Sequence, residues 1–123
     1  MDAGADVMYA ERFGVSDAAV ERNAKAIGNV IDTSGDYPGT ILASAIWHME
    51  ATIDTAVAAV ASGKYEADDY GQYSFMEHGG GSLAMDTSLI PAEIVAAVKA
   101  KEAAIMDGSF TVVVNDEAPV SDN

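Results

Sequence analysis

Cysteine is absent from this chain of 123 residues, which rules out a disulfide framework and a thiolate metal site. Positive charge is scarce: six Lys and Arg stand against twenty Asp and Glu, for a formal net charge of -14. The six do not cluster, so there is no basic surface for a nucleic-acid backbone, and anionic membrane surfaces are disfavoured for the same reason. No apolar run is long enough to span a bilayer. The opening residues Met1 to Asp6 have neither the basic n-region nor the apolar h-region of an export signal. Tryptophan occurs once, which makes the position of Trp47 informative. Apolar residues are plentiful, at 50% of a chain the size of one ordinary domain, enough to furnish a core. The acidic excess fits a salty environment or plain solubility.

Short apolar runs alternate with helix-period segments, the pattern of an α/β protein. Val7 to Ala10 reads as a first strand. Ser16 reads as the N-cap of a helix running to about Lys25, with Asp17 in the favourable first turn. Ala26 to Ile31 reads as a second strand ending at Asp32. The turn formers Thr33 to Gly39 lead into a third strand, Thr40 to Ile46, which stops at Trp47 and His48. The following helix places Met49, Ile53, Val57 and Val60 on one face, and Gly63 is its expected C′ residue. Tyr65 to Met76 reads as irregular, with a short strand at Gln72 to Phe75. Gly79, Gly80 and Gly81 require a turn or a close backbone approach. Ser82 to Met85 is a further short strand. Pro91 opens a helix whose buried stripe is Ile94, Val98 and Ile105, ended by Gly108. Phe110 to Val114 reads as a last strand, and residues 115–123 as a disordered acidic tail.

Few residues point to catalysis. His48 and Glu50 have the His-x-Glu spacing of zinc deaminases, but the paired cysteines of those enzymes are missing, so no metal is expected. The triple glycine lacks the lysine and framework of a phosphate loop, and no Gly-x-Ser-x-Gly elbow exists. Carboxylates such as Glu11 and Asp32, at strand ends, serve equally well as hydrogen-bond acceptors for a ligand. The expectation is a binding protein with no catalytic residue and no cofactor. Trp47 and His48, at the carboxyl end of an apolar strand, stand where open α/β sheets bind ligands, and Tyr9 flanks another strand end. A lone tryptophan there serves either packing or stacking on a planar ligand.

Several motifs in order carry a resemblance over nearly the whole chain. They are Gly4 to Tyr9, Ala26 to Asp32, Ala43 to Glu50, Gly79 to Ala84, Ile90 to Val95 and Ala104 to Val112. Together they resemble the basic-membrane-protein (PnrA-like) family of ABC-transporter substrate-binding proteins, in its C-terminal portion. The resemblance implies a partial type I periplasmic-binding-protein fold, made of pieces of two doubly wound α/β lobes that hold a purine between them. It implies an ABC permease as partner and a periplasmic or membrane-anchored location, since family members begin with an export signal, often a lipoprotein one. The segment ending in Asp32 resembles the family's Ile-Gly-Val-Asp strand end, whose aspartate binds ribose hydroxyls; Asn29 and Asp32 are alternatives for that position. Ser44 to Trp47 resembles Ser-Val-Val-Lys, with Trp47 in place of the ligand-contacting lysine. Ala10 to Gly14 replaces a glycine-rich loop with bulkier residues that would fill the space of a ribose. The implied ligand is a free base such as adenine or hypoxanthine rather than a nucleoside, with Tyr9, Glu11, Asn29, Asp32, Trp47 and His48 as candidate contacts.

By the same analogy, residues 1–114 form the C-terminal part of such a protein. Residues up to about 42 would belong to the second lobe, the 47–62 helix would pack on the first, and the chain would then return to the second. The competing reading is a small stand-alone flavodoxin-like or receiver-like domain, although a receiver's acidic cluster and lysine after a strand are not in place. If the family's N-terminal segment is missing, the stripes of Met49, Ile53 and Val57 and of Ile94, Val98 and Ile105 lack partners. Purine affinity would then be weak or nil, and copies could pair through the bare faces. The isolated chain is therefore expected to be marginally stable, oligomeric or aggregation-prone. Light scattering behind a sizing column and a thermal melt check this; a monomer with a cooperative, native-like melt would contradict it.

Overall fold

The computed structural model describes residues 4–64, 66–113, 115, 117 and 118. Among them the chain forms four strands and three α-helices in a mixed α/β arrangement. The strands are β1 (Val7–Tyr9), β2 (Lys25–Val30), β3 (Ile41–Trp47) and β4 (Gly81–Met85), and the helices α1 (Val15–Glu21), α2 (Glu50–Ala61) and α3 (Ala92–Met106). The sheet order is β1-β2-β3-β4. β1 runs parallel to β2 and β2 to β3, while β4 closes the sheet antiparallel to β3. The flavodoxin-like order 2-1-3-4-5 differs from this arrangement.

Local chemistry moves several boundaries from their sequence-based positions. Helix α1 is capped at Gly14, which takes φ 88, and no side chain caps it; Ser16 sits inside the first turn, 8% exposed. The helix ends early because Asn23 turns left-handed at φ 50, which lets Lys25 start β2. Strand β2 stops at Val30, whose φ of 75 turns the chain out of the sheet. Gly63 takes φ 67 at the end of α2, as its C′ position requires. Pro91 precedes the first turn of α3 instead of opening it.

Two expected strands do not form. Gln72 to Ser74 fall in a 3-10 turn, Tyr70–Ser74, and Phe75 follows it in extended backbone outside any strand. Short polar side chains there bond to nearby backbone, Asp69 Oδ1 accepting from Gly71 N at 3.0 Å and Ser74 Oγ donating to Gly71 O at 2.6 Å. Such local bonds compete with strand pairing. A second 3-10 turn, Met76–His78, leads to Gly79 at φ 78 and then to Gly80, where a Cβ would lie 2.0 Å from the Tyr73 carbonyl oxygen. The triple glycine is thus both a turn and a close approach. At the other end, Phe110, Thr111, Val112 and Val113 lie in no strand, and Val114 is outside the described residues. A strand exists only where a neighbouring backbone takes up its N–H and C=O groups. Here Phe110 N donates to Ala104 O at 2.9 Å and its ring lies 3.7 Å from the Lys101 ammonium, so the chain folds back on α3. The tail expected to be disordered falls outside the described residues except for Asn115, Glu117 and Ala118.

The core is small. Ala19 from α1, Ala26 from β2 and Ile41 from β3 are its buried apolar side chains among the described residues, with Met8 and Tyr37 packed against them. α1 packs on β1 and β2, whereas α2 packs against the turn at 70–74 and α3 against the turn at 76–78. Along α2, Met49, Ile53, Val57 and Val60 are all more than half exposed, and Ile94 of α3 is 50% exposed. The chain's accessible surface is 8809 Å². A self-contained domain of its mass exposes about 6,200 Å². The 8809 Å² is the total surface of the whole chain, to which the exposed faces of α2 and α3 contribute a part.

Three substitutions probe this account. Ile41→Ala, in the core, is expected to cost about 2–4 kcal/mol in a denaturant melt, whereas Val113→Ala, in the exposed run, stays within about 0.5 kcal/mol. A left-handed β-branched residue is strained by about 1–3 kcal/mol, and Val30 is 41% exposed, so Val30→Gly is expected to stabilise by up to about 1 kcal/mol after its burial and entropy costs. A loss of stability in Val30→Gly would show that its conformation carries no strain.

Candidate functional site

The parallel strands β1, β2 and β3 all finish at one edge of the sheet, and antiparallel β4 begins there, with Trp47 opposite Gly81. Tyr9 pairs with Ile27 and Asn29 with Ala45, so strand alternation puts Tyr9, Asn29 and Trp47 on the same face. The Tyr9 phenol donates to Asn29 Oδ1 at 3.0 Å, joining the ends of β1 and β2. Trp47 is 56% exposed and Tyr9 53%, so both rings present open surface at this edge. His48 is held at the end of β3 by two bonds: its backbone N donates to Gly80 O at 2.9 Å, and its Nε2 lies 2.7 Å from Ser82 Oγ. That pair ties β3 to the start of β4.

A cleft of about 370 Å³ opens at the ends of β1 and β2, within the size range of small-molecule sites. One wall is the segment Ala10 to Gly14, the floor includes Ser16, Gly28 and Asn29, and the far wall is the loop with Thr33, Asp36 and Tyr37. Glu11 and Asn29 line it, and Tyr9, bonded to Asn29, is outside its lining. Trp47 and His48 stand at the neighbouring strand end, outside its lining. Asp32 does not line it either. The Asp32 carboxylate accepts from Ser34 N at 3.0 Å and lies 3.5 Å from Ser44 Oγ. The hydrogen bonds from Ser34 hold its pKa below the usual carboxylate value, with a further contribution from Ser44. Asp32 faces a second hollow of about 310 Å³ shared with Leu42, Met85 and Asp86. Asn29 lines the first cleft and Asp32 the second.

The loop residues Thr33, Asp36 and Tyr37 were not among the sequence-based candidates, because turn-rich composition marks a loop without saying what it covers. Asp36 is exposed and its carboxylate accepts no hydrogen bond among the described residues. Tyr37 donates to Asp17 Oδ1 at 3.1 Å. That bond, then burial and the charges of Asp17 and Asp36, raise the pKa of its phenol. Arg12 is the one cation in the cleft lining, and its Nε sits 2.8 Å from Glu11 Oε2. Among the described residues, no three His, Asp or Glu side chains gather to hold a metal ion. No described helix is long and apolar enough to cross a membrane.

No family model and no curated protein matches the sequence. Solved structures do. A transcriptional activator of the comK gene from Bacillus halodurans superposes with a TM-score of 0.69 at 22% identity, covering 89% of this chain and 39% of that one. An ABC-transporter solute-binding protein from Conexibacter woesei DSM 14684 gives 0.57 at 18% identity, over 91% of this chain and 38% of the other. Another from Aeropyrum pernix K1 gives 0.55 at 18% identity, over 94% and 42%. This chain therefore spans about two-fifths of the length of the structures it matches. The likeness is one of fold: four strands and three helices, among the described residues, arranged as in part of these solved structures.

Proposed function

We propose that this chain is part of the solute-binding component of an ABC importer, and that it holds a purine at the carboxyl edge of β1, β2 and β3. The observation that carries the reading is the placement of Tyr9, Asn29 and Trp47 on one sheet face beside a cleft of ligand size. A planar heterocycle stacked on an exposed aromatic ring gains on the order of 1 kcal/mol beyond the area it buries. Asn29 and Glu11 supply polar groups at the ring edge, and His48 fixes the neighbouring strand end. A free base such as adenine or hypoxanthine is favoured over a nucleoside. Trp47 stands where the resembling family has a lysine, and Glu11, Arg12 and Phe13 crowd the wall where a ribose would lie.

The exposed stripe of α2 then has a natural role, as the surface that packs on a first lobe, with residues up to about 42 and the end of the chain in the second. Closure of the lobes over the purine is the change a permease would detect, and the location would be extracytoplasmic. The solved activator from Bacillus halodurans raises regulation as a second role for the fold. With a net charge of -14, this chain would exert it through a bound ligand or another protein and not by gripping DNA.

The single tryptophan provides the test. Titrating the chain with adenine or hypoxanthine is expected to quench Trp47 fluorescence saturably, with a Kd on the order of 1 mM for a site lacking its second wall. In ligand-observed NMR, Trp47→Leu should weaken binding about fivefold. Much tighter binding of adenosine or inosine would overturn the preference for a base, and no saturable response to any purine, by this chain or by one extended to both lobes, would overturn the purine reading.

A further inference from the structure

We propose that the outer edge of β4 takes up an extended, basic segment of another protein. The segment adds to the sheet as a further strand and brings a Lys or Arg to the carboxylates beside the end of β4.

The register decides which backbone groups of β4 are free. His48 N donates to Gly80 O and Asp86 N to Leu42 O, and the pairing between them is continuous. The even-numbered residues of β4 therefore bond to β3, and Gly81, Leu83 and Met85 turn their N–H and C=O groups outward. None of these outward groups has a hydrogen-bond partner among the described residues. The turn at 74–76 stands beside Gly81, whose Cβ would lie 3.5 Å from Ser74 O, so Leu83 and Met85 form the open part of the edge. Sheet edges are normally blunted by charge, proline, a bulge or shortness. The β4 edge has no charge, no proline and no bulge, and it is five residues long, against three for β1 at the other edge. Such an edge offers an extended chain a row of main-chain bonds.

Charge selects the occupant. Two copies of a chain at -14 repel each other, whereas a cationic strand is attracted. The attraction has a local target. The hollow of about 310 Å³ is lined by Ala84, Met85 and Asp86 at the end of β4 and by Asp32 across from them. Asp86 accepts from Ser88 N at 3.0 Å and from Ser88 Oγ at 2.6 Å, as Asp32 accepts from Ser34 N at 3.0 Å. These bonds hold both carboxyls below the usual carboxylate pKa, so both are ionised. No described Lys or Arg lines the hollow. A lysine at the end of an incoming strand would lay its stem along Ala84 and Met85 and its ammonium by the carboxylates. Main-chain bonds then supply affinity, and the cationic end supplies selectivity.

The probe is the peptide acetyl-Lys-Val-Thr-Val-Thr-Val-Lys-amide, added to the full chain and followed by titration and by amide hydrogen exchange. Exchange at Leu83 and Met85 is expected to slow about tenfold at saturating peptide, while Ser82 and Ala84, already bonded to β3, stay unchanged. The same peptide with Glu for Lys should bind about tenfold more weakly, a gap that narrows as KCl rises from about 0.1 to 0.5 M. Asp86→Asn should weaken the Lys peptide several-fold and not the Glu peptide. N-methylation of every Val and Thr keeps charge and side chains but removes the donors, and should abolish the exchange effect. Equal binding of the methylated peptide would reduce the contact to charge alone and overturn the edge assignment. Slow exchange at Leu83 and Met85 in the chain alone, growing with its concentration, would give the edge to a second copy and overturn the cationic partner. No binding of the Lys peptide defeats the proposal outright. None of these results bears on the purine reading.

Discussion

The close approach of β2 to β3 at Gly28 is the constraint on which the binding edge depends. Gly28 pairs with Ser44, which is fully buried, and a Cβ on Gly28 would lie 2.5 Å from Ser44 Oγ and 2.8 Å from Thr33 Oγ1. The bare backbone makes room for two hydroxyl-bearing side chains at the end of the strand. Ser44 Oγ then lies within 3.5 Å of both Thr33 N and the Asp32 carboxylate. That small polar knot holds the loop after β2 over the strand ends, so Thr33, Asp36 and Tyr37 form a wall of the cleft. Thr33 Oγ1 is buried without a hydrogen-bond partner among the described residues, a cost of the tight fit. The left-handed turn at Val30 starts the loop in the right direction.

The knot is local, and the rest of the chain is loosely tied to it. Three small or medium apolar side chains make the buried core, and α2 and α3 rest on 3-10 turns instead of on the sheet. The stripe from Met49 to Val60 therefore faces outward. Burial of such a stripe is the main source of helix stability in proteins, since propensity alone rarely sustains a short helix. The exposed stripe of α2 therefore gains little from burial among the described residues.

Much of the organisation was legible in the residues. Alternating apolar runs and helical periods located the four strands and three helices to within a few residues, and Gly63 and the triple glycine behaved as their backbone freedom implies. The errors have specific causes. At Gln72 to Phe75, aromatic β-formers were outcompeted by local bonds from Asp69 and Ser74. At Phe110 to Val113, a strong strand pattern found no edge to pair with and was captured by the end of α3 instead. Ser16 has an N-cap's side chain, yet Gly14 took that position because only the left-handed turn there leads from β1 into α1.

By itself the sequence determined the α/β class, the acidic character, and the placing of Tyr9 and Trp47 at strand ends. Those follow from composition and from periodicities of two and 3.6, which are properties of neighbouring residues. Only the tertiary structure decided which strand ends stand together, that Asn29 and not Asp32 lines the cleft, and that Asp36 faces it from a loop. These depend on register between strands and on the path of a turn-rich segment, and both are set by the packing of Gly28 against Ser44 and Thr33, residues distant in sequence.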